Sequence, residues 1–316
     1  MNKKLRVSPS PHIRTKETVE NVMWDVVIAL TPAILAAIYF FRLGAVKVLS
    51  VSIITAVVSE AIAQKLMGRK IQIKDGSAII TGILFAFVVP PTLPWWITMI
   101  GAGVSIILGK MVFGGLGHNV FNPALIGRAF LLASWPVAMT SWIGVDGKAG
   151  PTILGVLKEH GFSKVLDMFG NQGAMYTKLF LGNVGGSLGE TSVLALLIGA
   201  GYLLYKKQIT WHTPVVYIGT VFVLMWIFGQ DPLMEIMSGG LILGAFFMAT
   251  DMVTTPYTSK GKILFGLGAG ILVVWIRLKG GYPEGVAYSI LLMNGVTPLI
   301  NMYTRPRIFG GVKNNG

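Results

Sequence analysis

The 316-residue sequence contains no cysteine and only four histidines. The absence of cysteine excludes disulfides, thiolate nucleophiles and thiolate-ligated iron–sulfur clusters. The histidines, His12, His118, His160 and His212, leave little for a metal cage or a pair of haem ligands. Charge is scarce too: 12% of the residues are Asp, Glu, Lys or Arg, about half the share expected of a soluble domain. Acids are the scarcer sign, with 13 Asp+Glu against 26 Lys+Arg and a net charge of +13. On a soluble protein that excess would suggest nucleic acid. Here the basic residues sit between apolar runs, where the positive-inside rule accounts for them, so the partner is the lipid bilayer and no nucleic acid is expected.

What is abundant points the same way. Hydrophobic residues make up 53% of the chain, with 40 Gly, 15 Pro and 15 Met, and the mean hydropathy is +0.68. A helix crosses a bilayer with about 20 apolar residues. Ten such segments are predicted at roughly 22–41, 47–66, 77–92, 95–112, 121–138, 187–205, 212–229, 234–250, 262–278 and 284–301. The sequence predicts an all-α polytopic membrane protein of about ten transmembrane helices. Lys3, Lys4 and Arg6 are followed by a polar stretch from Ser8 to Asn21, so no cleavable signal peptide is expected. Placing both termini in the cytoplasm puts about 18 of the basic residues inside and about 8 outside, which sets the orientation. The expected organisation is a cytoplasmic segment 1–21, five helices over 22–138, an extracytoplasmic loop 139–186, five more helices over 187–301 and a cytoplasmic tail 302–316.

The two halves resemble each other. Ser77 opens SAIITGILFAFVVPPTLP and Ser238 opens SGGLILGAFFMATDMVTTP; Gly101 then opens GAGVSIILGKMVFGG and Gly268 opens GAGILVVWIRLKGG. Repeats of five spans, an odd number, must insert with opposite orientation, the inverted architecture of many transport proteins. Chance likeness between Gly-rich apolar helices is the plain alternative. Pro90-Pro91, Asn122-Pro123 and Thr254-Thr255-Pro256 interrupt helices, and backbone freed at membrane depth must be buried in protein or face a cavity.

Ionisable groups in spans are costly, which makes Glu60, Arg128, Glu190, Asp251 and Glu284 functional candidates, the alternative being internal ion pairs. Arg128 offers a fixed planar fork suited to a carboxylate, a phosphate or a polar ring edge. The run Gly182-Asn183-Val184-Gly185-Gly186-Ser187-Leu188-Gly189-Glu190 matches no nucleotide-binding motif. Its glycines leave N–H groups for an anion such as a flavin phosphate, or else serve close helix packing. In the long loop, Val145 to Leu154 reads as a turn followed by a short amphipathic segment, with Thr152 at its start.

The motifs Phe113–Phe130, Gly182–Glu190 with Thr191-Ser192, Phe247-Met-Ala-Thr-Asp251 and Tyr282-Pro-Glu-Gly285 resemble a family of membrane subunits from two redox pumps. These are the D component of the Rnf complex and the B component of the sodium-pumping NADH:quinone oxidoreductase. The resemblance covers nearly the whole chain. About twenty residues precede the first span, where the quinone-reductase component carries a longer extension, so the expected branch is the Rnf type. The resemblance implies FMN joined by a phosphoester to Thr152, within Ala149-Gly150-Pro151-Thr152; the family pattern has Ser/Thr at the position of Ala149 and Ala at that of Pro151. It also implies a second, non-covalent flavin (riboflavin) near Asn119 and Asp251, a fold of two inverted five-helix repeats, and a location in the cytoplasmic membrane.

The cofactor-binding candidates are thus Thr152, Arg128, Asn119, Asn122, Asn183, Gly185, Gly186, Ser187, Glu190 and Asp251. The ion-pathway candidates are Glu60, Glu190, Asp251 and Glu284. No catalytic or metal-ligating residue is assigned. The implied activity is electron relay within an ion-translocating ferredoxin:NAD+ oxidoreductase, moving Na+ or H+. NAD and cluster chemistry would lie on partner subunits, among them a second FMN-carrying subunit and the NAD-side subunit. A membrane component of a sodium-pumping quinone reductase, a channel or secondary transporter for a small solute, and an inert membrane scaffold are the alternatives.

Overall fold

The computed structural model describes residues 17–144, 150–190 and 192–306. Among these there is no β-strand; the chain forms fourteen α-helices and two π-helical turns. The first half holds α1 (Val19–Phe41), α2 (Leu43–Leu66), α3 (Ser77–Phe87), α4 (Trp95–Ile106, continued by a π-helical turn Ile107–Met111), α5 (Pro123–Ser134) and α6 (Pro136–Thr140). Then come α7 (Ile153–Phe169) and α8 (Gln172–Leu181). The second half holds α9 (Val193–Tyr205), α10 (His212–Ile227), α11 (Pro232–Met237), α12 (Leu241–Leu243, continued by a π-helical turn Gly244–Met248), α13 (Ser259–Lys279) and α14 (Val286–Thr304).

The helix starts follow local chemistry. Asn122 caps α5 by accepting from the Ala124 and Leu125 N–H groups, with Pro123 at the first helical position, where its missing N–H costs nothing. Asp231 and Pro232 repeat that device at α11. Thr18, Thr152, Asn171, Ser192 and Thr258 cap α1, α7, α8, α9 and α13 through their side chains.

Helices α1, α2 and α13 are long and apolar enough to cross a bilayer, and five shorter helices are strongly apolar. Large apolar side chains such as Leu35, Tyr39, Ile54, Trp226 and Trp275 face outward. An outward apolar surface around a buried core is what a lipid solvent selects, and the chain is a multi-pass helical membrane protein. The core runs through both halves and includes Leu30, Phe85, Phe87, Tyr217 and Phe265.

The predicted apolar segments hold as regions but not always as single helices. The segment 77–92 is helical to Phe87, and 234–250 is divided into α11, α12 and a π-helical turn. The two halves pack alike: α2 lies on α4 and α4 on α5, while α10 lies on α13 and α13 on α14. They meet where α1 crosses α9 and α5 touches α14. At the first crossing a Cβ on Gly199 would sit 2.0 Å from the Ala29 carbonyl oxygen, so only glycine permits that approach.

The region 139–186, expected as a loop, holds α7 and α8 on a small apolar cluster of its own, including Ile153, Val156, Val165, Met175 and Leu179. Gly161 kinks α7 at φ 78°. The Tyr176 hydroxyl donates to Asp231, tying α8 to the second half; burial and that carboxylate raise the phenol pKa above its ordinary value. Val145 to Ala149 of the expected attachment loop, and Thr191, lie outside the described residues.

Candidate functional site

The helix breaks build two cavities at opposite ends of two short helices. The first has an empty volume of about 840 Å³ and takes in the start of α3 (Ser77, Thr81) and the end of the π-helical turn after α12 (Phe247, Thr250, Asp251). The second, about 640 Å³, takes in the residue that ends α3 (Val88) and the turn that starts α12 (Gly239, Gly240). Each cavity therefore meets one short helix at its N-terminal end and the other at its C-terminal end, the arrangement that aims helix-end partial charges at a ligand.

Six of the predicted residues line one cavity or the other. Asn119, Asn122 and Asp251 line the first cavity. The Asp251 carboxylate accepts from the Thr254 hydroxyl at 3.0 Å, and the Asn119 amide and the Met252 and Val253 N–H groups also face it. Arg128, Glu190 and Glu284 line the second cavity. Arg128 donates to the Val88 carbonyl and to Glu284, so the alternative of an internal ion pair holds for these two.

The glycine-rich run closes the end of α3. The Gly189 N–H donates to the Phe87 carbonyl at 2.8 Å, satisfying an acceptor that the broken helix leaves open. A Cβ on Gly189 would fall 2.5 Å from the Phe87 Cβ. Gly186 lies against the Glu190 carboxylate and Gly185 against Gly144, so here the glycines serve close packing. Asn183 is exposed and lines neither cavity.

Thr152 is 6% exposed. Its hydroxyl accepts from the Gly155 N–H at 3.2 Å, and among the described residues it donates to no acceptor. Three contacts tie this start of α7 to the second cavity. The Gly150 N–H donates to the carbonyl of Trp142, which lines it, at 3.1 Å. Leu154 packs on Gly239. Lys158 donates to the Gly280 carbonyl and, at 3.1 Å, to the Tyr282 carbonyl.

Four buried polar residues escaped the sequence reading. Lys110 donates to both Glu60 oxygens at 2.8 Å and to the Ser77 hydroxyl at 2.6 Å. Arg277 donates to the Glu235 carboxylate and carbonyl at 2.6 Å and to the Ser238 carbonyl at 3.1 Å. A signal for the two bases was available: Lys110 and Arg277 each stand nine residues after the aligned Gly101 and Gly268, and each binds the serine that opens its aligned segment. The fourth, Asn294 of α14, joins two breaks. Its carbonyl accepts from the Asn122 N–H at 3.1 Å and its amide donates to the Thr254 carbonyl at 3.2 Å. Asn294→Ala is expected to cost about 1–3 kcal/mol, because both partners stay buried, read as a lower unfolding midpoint of the purified protein in detergent.

These features define a polytopic membrane protein with polar cavities at interrupted helices, the construction found in secondary transporters and other transport proteins. The chain belongs to the NQR2, RnfD, RnfE family, whose pattern it matches over residues 6–310. It is 52% identical to the D component of the proton-translocating ferredoxin:NAD(+) oxidoreductase complex of Clostridium ljungdahlii, with 96% of each chain covered. It is 46% identical to the D component of the Na(+)-translocating ferredoxin:NAD(+) oxidoreductase complex of Acetobacterium woodii, over 98% of this chain and 96% of that one. The D component of the ion-translocating oxidoreductase complex of Ectopseudomonas mendocina is 38% identical over 97% of this chain and 96% of its own.

Proposed function

We propose that the chain acts as the D-type membrane component of an ion-translocating ferredoxin:NAD+ oxidoreductase, relaying electrons through a flavin as part of a redox-driven pump. The observation that carries this is the near full-length identity of 52% to a relative of that name. The other subunits of such a complex are its partners and supply ferredoxin and NAD chemistry. Between them, the names of the relatives give both a proton and a sodium ion as the translocated species.

The ten predicted spans form two inverted five-helix repeats, with α1–α5 answered by α9, α10, α12 with its π-helical turn, α13 and α14. The matched packing of the halves and the equivalent placement of Lys110 and Arg277 support this reading. Both termini lie in the cytoplasm, and the segment bearing α7 and α8 lies on the far side of the cytoplasmic membrane. The excess of Lys and Arg on the other side supports that orientation.

Thr152 is the attachment point for FMN. The residues fit such a group: the hydroxyl has a proton not committed to any described acceptor, and no described residue crowds the side-chain position of Gly150. The first N–H groups of α7 lack intrahelical acceptors and favour a phosphate there. A flavin so held would accept electrons singly or in pairs. The polar groups of the first cavity, Asn119, Asn122 and Asp251, suit the edge of a second, non-covalent flavin (riboflavin). Glu60, Glu190, Asp251 and Glu284 are the acids available to an ion.

Ultraviolet fluorescence of the denatured chain in a gel, with mass analysis of the Thr152 peptide, tests this reading. The expected result is a fluorescent band with an FMN-sized mass increment on that peptide. A dark band from protein co-expressed with its flavin-attaching enzyme would overturn it in favour of a channel or scaffold.

A further inference from the structure

One ion pair stands between the first cavity and a second, polar space. Lys110 lines the cavity, while its partner Glu60 lines a separate pocket of about 640 Å³. Asp75, which accepts from the Ser77 hydroxyl at 2.8 Å, also lies on the pocket side. The wall is therefore a dipole, with its acids on the pocket side and its ammonium on the cavity side. Arg69 and Lys70, the bases that line the pocket, are exposed, and water screens them.

Lys110 sits in the π-helical turn Ile107–Met111, and the other such turn, Gly244–Met248, brings Phe246 and Phe247 to the same cavity. Turns of this kind are rare and occur mostly at functional sites. The ammonium is buried, and its three protons go to the two Glu60 oxygens and the Ser77 hydroxyl. It is held in place with no proton left to donate, so it acts on an occupant through its field. Helices α3 and α5 both start at this cavity, at Ser77 and Pro123, and their N-terminal partial charges add to that field. Among the described residues Lys110 is the only cation in the lining and Asp251 the only acid. The other half supplies a contrast: Arg277, at the equivalent position, lines neither cavity.

We infer that Lys110 sets the electron affinity of a flavin ring in the first cavity, favouring the reduced, negatively charged ring over the oxidised one. The inference rests on the reading of that cavity as a non-covalent flavin site. The pyrimidine edge of such a ring carries an N–H between two carbonyls, a donor for Asp251 and acceptors that suit a positive field. Two electrons from the relay and one proton from water leave a net negative charge on that edge. A fixed charge beside it is one of the means by which a protein tunes a flavin. Glu60 opposes the ammonium and so moderates its effect.

The test uses the full chain made without its flavin-attaching enzyme, so that added riboflavin is the only flavin present. Binding is read by fluorescence quenching, and the midpoint potential of the bound ring by spectroelectrochemical titration. Lys110→Met is expected to weaken the reduced form about tenfold relative to the oxidised one, a fall of about 30 mV for a two-electron couple. Lys110→Arg keeps the charge and recovers most of that fall. Glu60→Gln removes the opposing charge and moves the potential up, whereas simple damage to the wall would move both variants the same way. An unchanged potential in Lys110→Met, or a fall in Glu60→Gln, would overturn the inference. A wild-type chain that binds no riboflavin would instead remove the reading of the first cavity as a flavin site.

Discussion

Thr152→Ala is expected to abolish covalent flavin on this chain while leaving the chain folded in the membrane. The threonine does two jobs, and the variant series separates them. Its hydroxyl caps α7 at the Gly155 N–H, and losing a cap costs about 0.5–2 kcal/mol. The helix is held independently by Ile153, Val156 and Val165 in the apolar cluster under α7 and α8, each such side chain contributing about 1.5–3 kcal/mol on burial. Thr152→Ala therefore loosens the first turn of α7 without unfolding it. Thr152→Asp restores a good capping oxygen but offers no hydroxyl to esterify, so it should be as dark as the Ala variant and closer to wild type in stability. Thr152→Ser keeps both properties and should remain fluorescent. A fluorescent Asp variant would show that the flavin is attached elsewhere.

Thr152 stands out through the family resemblance alone, while Arg128, Glu190 and Glu284, which wall the neighbouring cavity, stand out as ionisable groups in apolar spans. Apolar runs and their proline breaks are local patterns, and the interruptions after Phe87, before Pro123 and before Pro256 are visible without a structure. Helices α7 and α8 carry Lys158, Glu159, Asp167 and Lys178 and pack on only one face, so they lack the continuous hydropathy that marks a span. Partnerships are harder still. Glu60 is separated from Lys110 by 50 residues and Arg128 from Glu284 by 156, and no local spacing encodes either pair. Asn294 reads as one polar residue on an apolar helix, and its meaning comes from Asn122 and Thr254, which arrive from two other breaks. For the bases the repeat did carry information, because Lys110 and Arg277 fall at equivalent positions. Their acids do not: Glu60 lies on α2 and Glu235 on α11, so each half found its own counter-charge.

That difference leads to the second large effect. Arg277→Met is expected to destabilise the protein by about 3–5 kcal/mol, the cost of leaving a buried partner charge uncompensated. The side chains of Arg277 and Glu235 are each 3% exposed, and Glu235 has no other cation beside it among the described residues. Glu235→Leu on top of Arg277→Met should recover most of the loss, since an apolar pair of similar volume avoids the desolvation of both ions. Recovery stays incomplete because the Glu235 and Ser238 carbonyls still lose the donors that Arg277 gave them. The same cycle at Glu60 and Lys110 should give a smaller single-variant loss, although that pair is equally buried. Lys110 borders the first cavity, and Glu60 borders a separate polar pocket lined by Gln64, Arg69 and Gln72, so water can reach a carboxylate left behind. Gln64 also donates to Glu60 at 3.1 Å and would keep one of its oxygens satisfied. Unfolding midpoints in detergent for the two single and two double variants decide the matter. A loss at Lys110 as large as that at Arg277 would mean that the pocket beside Glu60 stays dry, and would count against that acid as part of any ion path.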